Sequence, residues 1–177
     1  MATLNIHYLL EKSSVNGPGK RFVLWTQGCP LRCKGCFNPK THSMDGGTFY
    51  EISNLVDTIN KTNGIRGITI SGGEPLIQVE EIIALLKQIR SDLDVLLFSG
   101  YTLAEIEQDP IKNQILKYID AGLFGRYMET QPHPFMNKKL VIRGERIKTE
   151  ELHPYLKTEL IINDNIVITT GLFKKGT

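Results

Sequence analysis

Short apolar runs alternate with segments of helical periodicity over the first two thirds of the chain. Residues 21–27, 67–71 and 94–100 are rich in β-branched and aromatic side chains, and glycine ends or follows each run, which predicts three strands. Two segments, one starting at Thr48 and one at Val79, repeat apolar residues at helical spacing, which predicts amphipathic helices. Their apolar positions are Phe49, Ile52, Leu55, Val56 and Ile59 in the first helix and Val79, Ile82, Ile83, Leu86 and Ile89 in the second.

The rest of the chain continues the alternation less regularly. The motif Thr102-x-x-Glu105 is a capping-box signature, so a helix is expected to begin there. A further helix is predicted over residues 111–118 and a strand over residues 138–143. Two β-branched runs over about residues 159–170 predict a C-terminal hairpin, with its turn at Asn163-Asp164-Asn165.

The order of these elements predicts where a site would form. Strands that alternate with helices indicate parallel βαβ units in one α/β domain spanning residues 1–177, and such folds bind ligands at the carboxyl ends of the strands. Three polar or glycine-rich segments lie at such ends: the cysteine loop 28–40, Ser71-Gly72-Gly73-Glu74-Pro75, and Ser99-Gly100-Tyr101. We therefore expect these segments to meet at one edge of the sheet.

Composition narrows the class of protein but names no partner. The 177 residues are 41% hydrophobic and 23% charged, as in an ordinary folded domain. A formal net charge of +2 gives no reason to expect binding to nucleic acid or to a membrane surface. The N-terminus does not resemble a secretory signal, and no apolar stretch is long enough to span a membrane, so a cytoplasmic location is expected.

The three cysteines are the strongest chemical signal. Cys29, Cys33 and Cys36 form a C-x3-C-x2-C array. A disulfide framework is not expected, because three cysteines would leave one thiol unpaired and any bridge would close only a very small loop. Thiolates are the preferred ligands of iron-sulfur clusters, so the loop can hold a [4Fe-4S] cluster and leave one iron open for another ligand. Gly28 and Gly35 are expected to give room and positive φ angles around the cluster.

Other interpretations of these residues remain open. Zinc also takes thiolates, and His42 could be its fourth ligand. Cys33 and Cys36 alone would fit a thioredoxin-like redox pair. The remaining candidates are interpreted as ordinary or solvated side chains: His7, His133, His153 and the pair Lys138-Lys139.

Two motifs together resemble the radical S-adenosylmethionine (SAM) enzymes. The C-x3-C-x2-C array after the first predicted strand resembles their cluster-binding signature, and residues 71–75 resemble their glycine-rich motif after the next strand. The resemblance implies a partial (β/α) barrel of parallel strands with outer helices. It also implies that SAM binds the open iron and is reductively cleaved to methionine and a 5′-deoxyadenosyl radical, which is chemistry sensitive to oxygen.

The resemblance narrows to activating proteins of glycyl-radical enzymes, in particular the group that acts on anaerobic ribonucleotide reductase. Residues 17–41 and 96–107 carry it, whereas residues 118–126 and 135–139 match only loosely. It implies an oxidoreductase that removes a hydrogen atom from a backbone glycine of a large partner subunit. An electron donor such as flavodoxin or ferredoxin is also implied.

The resemblance also implies roles for single residues. Gly72, Gly73 and Glu74 would contact the methionine end of SAM, Phe37 would pack against the adenine and Ser99 would reach the ribose. Two alternatives remain: a radical SAM enzyme that modifies a peptide or nucleoside, and a non-catalytic iron-sulfur or zinc interaction module.

Overall fold

A seven-stranded mixed sheet forms the centre of the protein. The computed structural model describes residues 2–130, 138–152, 158–163 and 166–171. In sheet order β3-β1-β2-β4-β5-β6-β7, the strands are β1 Thr3–Ser13, β2 Arg21–Thr26, β3 Thr48–Glu51, β4 Gly67–Gly72, β5 Asp94–Ser99, β6 Ala121–Phe124 and β7 Lys139–Ile142. The helices are α1 Ile52–Lys61, α2 Val79–Leu86 and α3 Leu103–Gln108, and short 3₁₀ turns cover Pro39–His42, Pro75–Gln78, Lys112–Lys117 and Thr149–Leu152.

The middle of the sheet is parallel, as the alternating pattern predicts. β2, β4, β5 and β6 run in the same direction, and Leu24, Ile70 and Leu97 lie side by side across three of them. The outer strands of the sheet differ from the expectation of parallel strands, because β1, β3 and β7 are antiparallel to their neighbours. The carboxyl ends of four parallel strands therefore share one edge, which we call the carboxyl edge of the sheet.

The predicted helix starting at Thr48 is wrong in its first turn. Residues Thr48–Glu51 form β3, which pairs with β1, and α1 begins only at Ile52. Phe49 fits the helical spacing by coincidence and is 69% exposed. Its aromatic and β-branched neighbours favour a strand, and the free edge of β1 supplies the partner.

The predicted apolar faces of α1 and α2 form much of the core. Ile52, Leu55, Val56 and Ile59 are buried in the same cluster as Ile82 and its neighbours in α2. The capping box of α3 is present, since the Thr102 hydroxyl accepts from the Glu105 amide at 3.3 Å and the Glu105 carboxylate accepts from the Thr102 amide at 2.7 Å. The helix predicted over residues 111–118 is instead the shorter 3₁₀ turn Lys112–Lys117.

The C-terminal hairpin is confirmed as an antiparallel pair outside the main sheet. Its strands are β8 Thr158–Asn163 and β9 Ile166–Gly171. Two residues of the predicted turn, Asp164 and Asn165, lie outside the described residues, as do His133 and His153. Asn16 donates to the Thr170 hydroxyl at 3.0 Å and so connects the hairpin to the loop after β1.

An ion-pair network closes the end of the sheet opposite the carboxyl edge. Arg21 is fully buried at the start of β2, and its guanidinium lies 2.5 Å from the carboxylate of Asp94. Arg66 pairs with the same carboxylate at 2.9 Å and with Glu151 at 2.6 Å. These contacts fasten the segment after β7 to the strand starts. Within the described residues, none of the helices has the length and apolar character needed to cross a membrane.

Candidate radical SAM active site

The cysteine loop is shaped by three residues with left-handed backbone. Gly28, Arg32 and Gly35 have φ angles of 93°, 43° and 69°. The positive φ expected at the two glycines is therefore present, whereas Arg32 adopts a conformation that is unfavourable for a residue with a Cβ. These residues bend the backbone of the loop that carries Cys29, Cys33 and Cys36.

Both ends of the loop are hydrogen-bonded to each other. The Gly28 amide donates to the Thr41 carbonyl at 2.9 Å, and the Cys29 amide donates to the His42 carbonyl at 3.4 Å. Gln27, which is 3% exposed, donates from its side chain to the carbonyl of Ser43 at 2.7 Å. Sequence patterns alone gave no indication of this glutamine, because its acceptor lies sixteen positions away along the chain.

The thiols lie in surroundings that suit an iron-sulfur cluster. All three cysteines are free, with Cys29 buried and the other two half-buried. Burial raises the pKa of the Cys29 thiol, whereas hydrogen bonds from the amides of Leu31 and Arg32 act in the opposite direction. Burial likewise raises the pKa of Cys36, opposed by a bond from the Asn38 amide. Amides aimed at sulfur favour the thiolate, which is the form that binds iron.

The glycine motif packs directly against the cysteine loop. The Gly73 amide donates to the Thr26 carbonyl at 2.9 Å, and the Glu74 amide donates to the Gly28 carbonyl at 2.8 Å. A Cβ at Gly73 would lie 2.3 Å from the Gly28 carbonyl oxygen, and one at Gly72 would lie 2.2 Å from the Thr26 nitrogen. Contact between the ends of β2 and β4 therefore requires both glycines to lack a side chain.

Glu74 connects the ends of β4 and β5. Its side chain is fully buried and accepts from the Ser99 hydroxyl and the Gly100 amide, both at 2.7 Å, and from the Leu76 amide at 3.0 Å. Burial raises the pKa of the Glu74 carboxyl, and these three hydrogen bonds oppose the change. The expected meeting of the three strand-end segments at one edge is thus confirmed, since Gly28, Glu74 and Ser99 are joined by direct contacts.

Lys138 also reaches the carboxyl edge, so its interpretation as a solvated residue is wrong. Its ammonium donates to the Ser99 carbonyl at 3.1 Å and to the carbonyl of Gly125, which follows β6. Burial lowers the pKa of Lys138, while the charges of Glu74 and Cys33 act to raise it. The neighbouring Lys139 is exposed. Lys138 directly precedes β7, and because β7 is antiparallel to β6 its side chain lies at the carboxyl edge, which the local sequence does not reveal.

Comparison with known proteins assigns the chain to a family. Residues 15–146 match the family described as a 4Fe-4S single cluster domain. The anaerobic ribonucleoside-triphosphate reductase-activating protein of Vibrio cholerae is 34% identical over 143 residues, covering 74% of this chain and 89% of that protein. The protein of the same name from Escherichia coli strain K12 is 30% identical over 150 residues, covering 80% of this chain and 94% of that protein.

The chain belongs to the family of radical SAM activating proteins. A pyruvate formate-lyase-activating enzyme of Listeria monocytogenes is 39% identical over a shorter stretch of 83 residues, covering 44% of this chain and 34% of that enzyme. As a member of this family, the chain is an enzyme that uses one [4Fe-4S] cluster and SAM. Its three thiols and the amides directed at two of them fit such a cluster.

The alternative metal site finds no geometric support in the structure. Among the residues that the structure describes, no three His, Cys, Asp or Glu side chains converge as ligands of a single ion. The Nε2 atom of His42, the histidine considered as a fourth zinc ligand, is buried and has no hydrogen-bond partner among the described residues. The radical SAM family accounts for all three thiols, whereas a redox pair uses only two.

Phe37 and Ser99 have different surroundings. Phe37 is 67% exposed beside the cysteine loop, and its ring meets that of Tyr127 edge-on at 5.7 Å. It is therefore not a core residue, and its open face could receive an aromatic ligand. Ser99 is 2% exposed, with its hydroxyl bonded to Glu74 and to the Tyr101 amide. The single hydroxyl proton is already donated to Glu74, so Ser99 keeps only acceptor capacity for a hydroxyl of the SAM ribose.

Proposed function

We propose that this radical SAM activating protein generates a glycyl radical on a large partner subunit, and that the partner is an anaerobic ribonucleotide reductase. The observation that carries the proposal is the cysteine loop held against the glycine motif at the carboxyl ends of the parallel strands. Relatives that match over most of their length and carry the name of this reductase's activating protein support the choice of partner.

Cys29, Cys33 and Cys36 are the proposed ligands of the cluster. When bound, the cluster and SAM supply a one-electron cleavage whose 5′-deoxyadenosyl radical abstracts a hydrogen atom. The protein holds the three thiolates on a loop that is fixed at both ends. This rigidity matters because a reactive radical must form next to its target and away from water.

The SAM contacts are proposed at the same edge. Gly72, Gly73 and Glu74 would position the methionine end, mostly through backbone atoms, because the Glu74 carboxylate already accepts three hydrogen bonds. Phe37 would cover the adenine with its exposed ring, and Ser99 would lie near the ribose. The strands β2, β4, β5 and β6 would form the core of the partial (β/α) barrel.

The proposal also includes a source of electrons for the cluster and a cellular location for the protein. A small carrier such as flavodoxin or ferredoxin would deliver the electron, and the cytoplasm would keep the thiols reduced. Neither nucleic acid nor a membrane has a role in this proposal.

The test is radical formation on a partner protein. Anaerobically reconstituted protein is mixed with the large reductase subunit, SAM and a reductant, and the glycyl radical is recorded by electron paramagnetic resonance (EPR) while 5′-deoxyadenosine is quantified. A doublet that depends on SAM and disappears in Cys33→Ser is expected. The partner variant with alanine at the radical glycine is the matched control.

Other outcomes would redirect the proposal. If 5′-deoxyadenosine formation is stimulated by a peptide or nucleoside while no partner acquires a radical, the chain is a radical SAM enzyme of another class. Protein that binds zinc or iron without cleaving SAM would be an interaction module. Either result would refute the glycyl-radical activity.

A further inference from the structure

The Lys138 ammonium occupies an electrostatically unusual position. It is half-buried and donates to two backbone carbonyls, those of Ser99 and Gly125, at the ends of β5 and β6. Within the part of the chain that the structure describes, no carboxylate lies within 4.0 Å of it. The Glu74 carboxylate acts on this charge only from a greater distance, so the ammonium keeps a partly compensated positive charge that favours a further anion nearby.

The ammonium is connected to the cysteine loop through the strand ends. Its acceptor Ser99 precedes Gly100, and a Cβ at Gly100 would lie 2.4 Å from the side chain of Leu31. Leu31 stands between Cys29 and Cys33 in the loop. The lysine therefore contacts the strand end against which the cluster-binding loop packs, and a charge on Cys33, like that of Glu74, acts to raise the pKa of Lys138.

The bound cluster is the anion that this arrangement implies. Three thiolates outweigh the positive charge of an oxidised cluster core, and reduction adds a further negative charge. A fixed cation stabilises the more negative state more strongly, and surroundings shielded from water strengthen the effect. Across roughly 10 Å of protein with an effective dielectric constant of about 20, one unit charge changes such an equilibrium about tenfold.

We propose that Lys138 provides a fixed positive charge that favours the reduced state of the cluster. This role rests on the proposed ligation by the cysteine loop but not on the identity of the partner. It concerns the electron-accepting step, which precedes any contact with a target glycine. Lys138 thus acts through the cluster rather than on the substrate.

The test is the midpoint potential of the reconstituted cluster without SAM, followed by EPR during a redox titration. Lys138→Gln removes the charge but retains an amide donor for the Ser99 and Gly125 carbonyls. At a fixed applied potential, the ratio of reduced to oxidised cluster is expected to fall about tenfold, equivalent to about 59 mV for one electron. Lys139→Gln, an equal charge change at the exposed neighbour, should change the ratio less than about twofold because solvent screens it.

Two further measurements separate charge from structure. Lys138→Arg should keep the potential of the unaltered protein, and a potential as low as that of Lys138→Gln would assign the effect to the carbonyl contacts and overturn the proposal. An unchanged potential in Lys138→Gln together with weaker SAM binding would assign the charge to the ligand and also overturn it. Loss of iron from every Lys138 variant, the arginine variant included, would show a purely structural role.

This outcome is independent of the partner assay. A tenfold change in the redox ratio with no radical on any reductase would uphold the role of Lys138 and refute the glycyl-radical activity. Radical formation on the reductase, together with an unchanged potential in Lys138→Gln, would uphold the glycyl-radical activity and refute the role of Lys138.

Discussion

Replacing Glu74 by alanine tests whether this residue joins two strands or binds the ligand. The side chain lies fully buried between β4 and β5, and its carboxylate accepts from Leu76, Ser99 and Gly100. Alanine would remove all three acceptor contacts at once. We therefore expect a large loss of stability in addition to any effect on SAM.

The magnitude follows from the donors that are left behind. An unsatisfied buried donor costs about 1–3 kcal/mol, and water entering the vacated space would keep each of the three near the lower end. The free energy of unfolding should therefore fall by about 4 kcal/mol in Glu74→Ala. Glu74→Gln retains an acceptor oxygen but presents an amide to one of the donors, so a loss of about 1.5 kcal/mol is expected.

The assay is thermal unfolding of the reconstituted protein followed by circular dichroism, with SAM affinity measured on the same samples. At about 2–4 °C per kcal/mol for a chain of this size, the Tm should fall by about 8–16 °C in Glu74→Ala and by about 3–6 °C in Glu74→Gln. Glu80→Ala, at an exposed position, is the matched control and should leave the Tm within about 2 °C. A Tm unchanged in Glu74→Ala, combined with lost SAM affinity, would refute the strand-joining role.

Three other substitutions test separate contacts. Gly73→Ala forces a Cβ against the cysteine-loop backbone and should lower iron content after reconstitution at least about twofold, measured by iron and protein assay; full iron content would contradict the contact. Arg21→Met leaves the Asp94 carboxylate without its buried partner, so urea unfolding should show a loss of about 3 kcal/mol, and a loss below about 1 kcal/mol would argue against the pair. Arg66 lowers the pKa of Glu151 from 4.5 to about 2, so this pair stabilises the folded state above pH 4.5 and the contribution is lost as the pH falls toward 2. Glu151→Gln should therefore lose about 1 kcal/mol near neutral pH but nothing near pH 2 in cluster-free protein, and a pH-independent difference would contradict the ion pair.

The periodicity of apolar residues predicted those strands and helices in which burial of one or both faces sets the sequence pattern. The strands β2, β4 and β5 and the apolar faces of α1 and α2 lie where the sequence placed them, because a core imposes spacing on the residues that fill it. Strand β1 was not predicted. Its apolar and polar residues alternate at first, but the apolar run Tyr8–Leu10 interrupts the alternation, and no turn signal precedes the strand. Its role depends on pairing with β2 and β3, and a local pattern does not identify such distant partners.

The site shows the same division between local and long-range information. The sequence predicted that residues 71–75 meet the cysteine loop, because strand direction alone brings carboxyl ends together. It did not predict that a side chain at Gly73 would clash with the Gly28 carbonyl. Nor did it predict that the Glu74 carboxylate accepts hydrogen bonds from Ser99 and Gly100 at the end of β5. Nor did it predict Lys138, which reaches the carboxyl edge only because β7 runs antiparallel to β6. Contacts within the protein therefore already use the side chains of Glu74 and Ser99, two of the groups expected to serve SAM, which is why we propose that SAM binding relies largely on backbone atoms and on the charge distribution around the loop. This makes the potential of the cluster, rather than the loss of a single side-chain contact, the more sensitive measure of how this site is arranged.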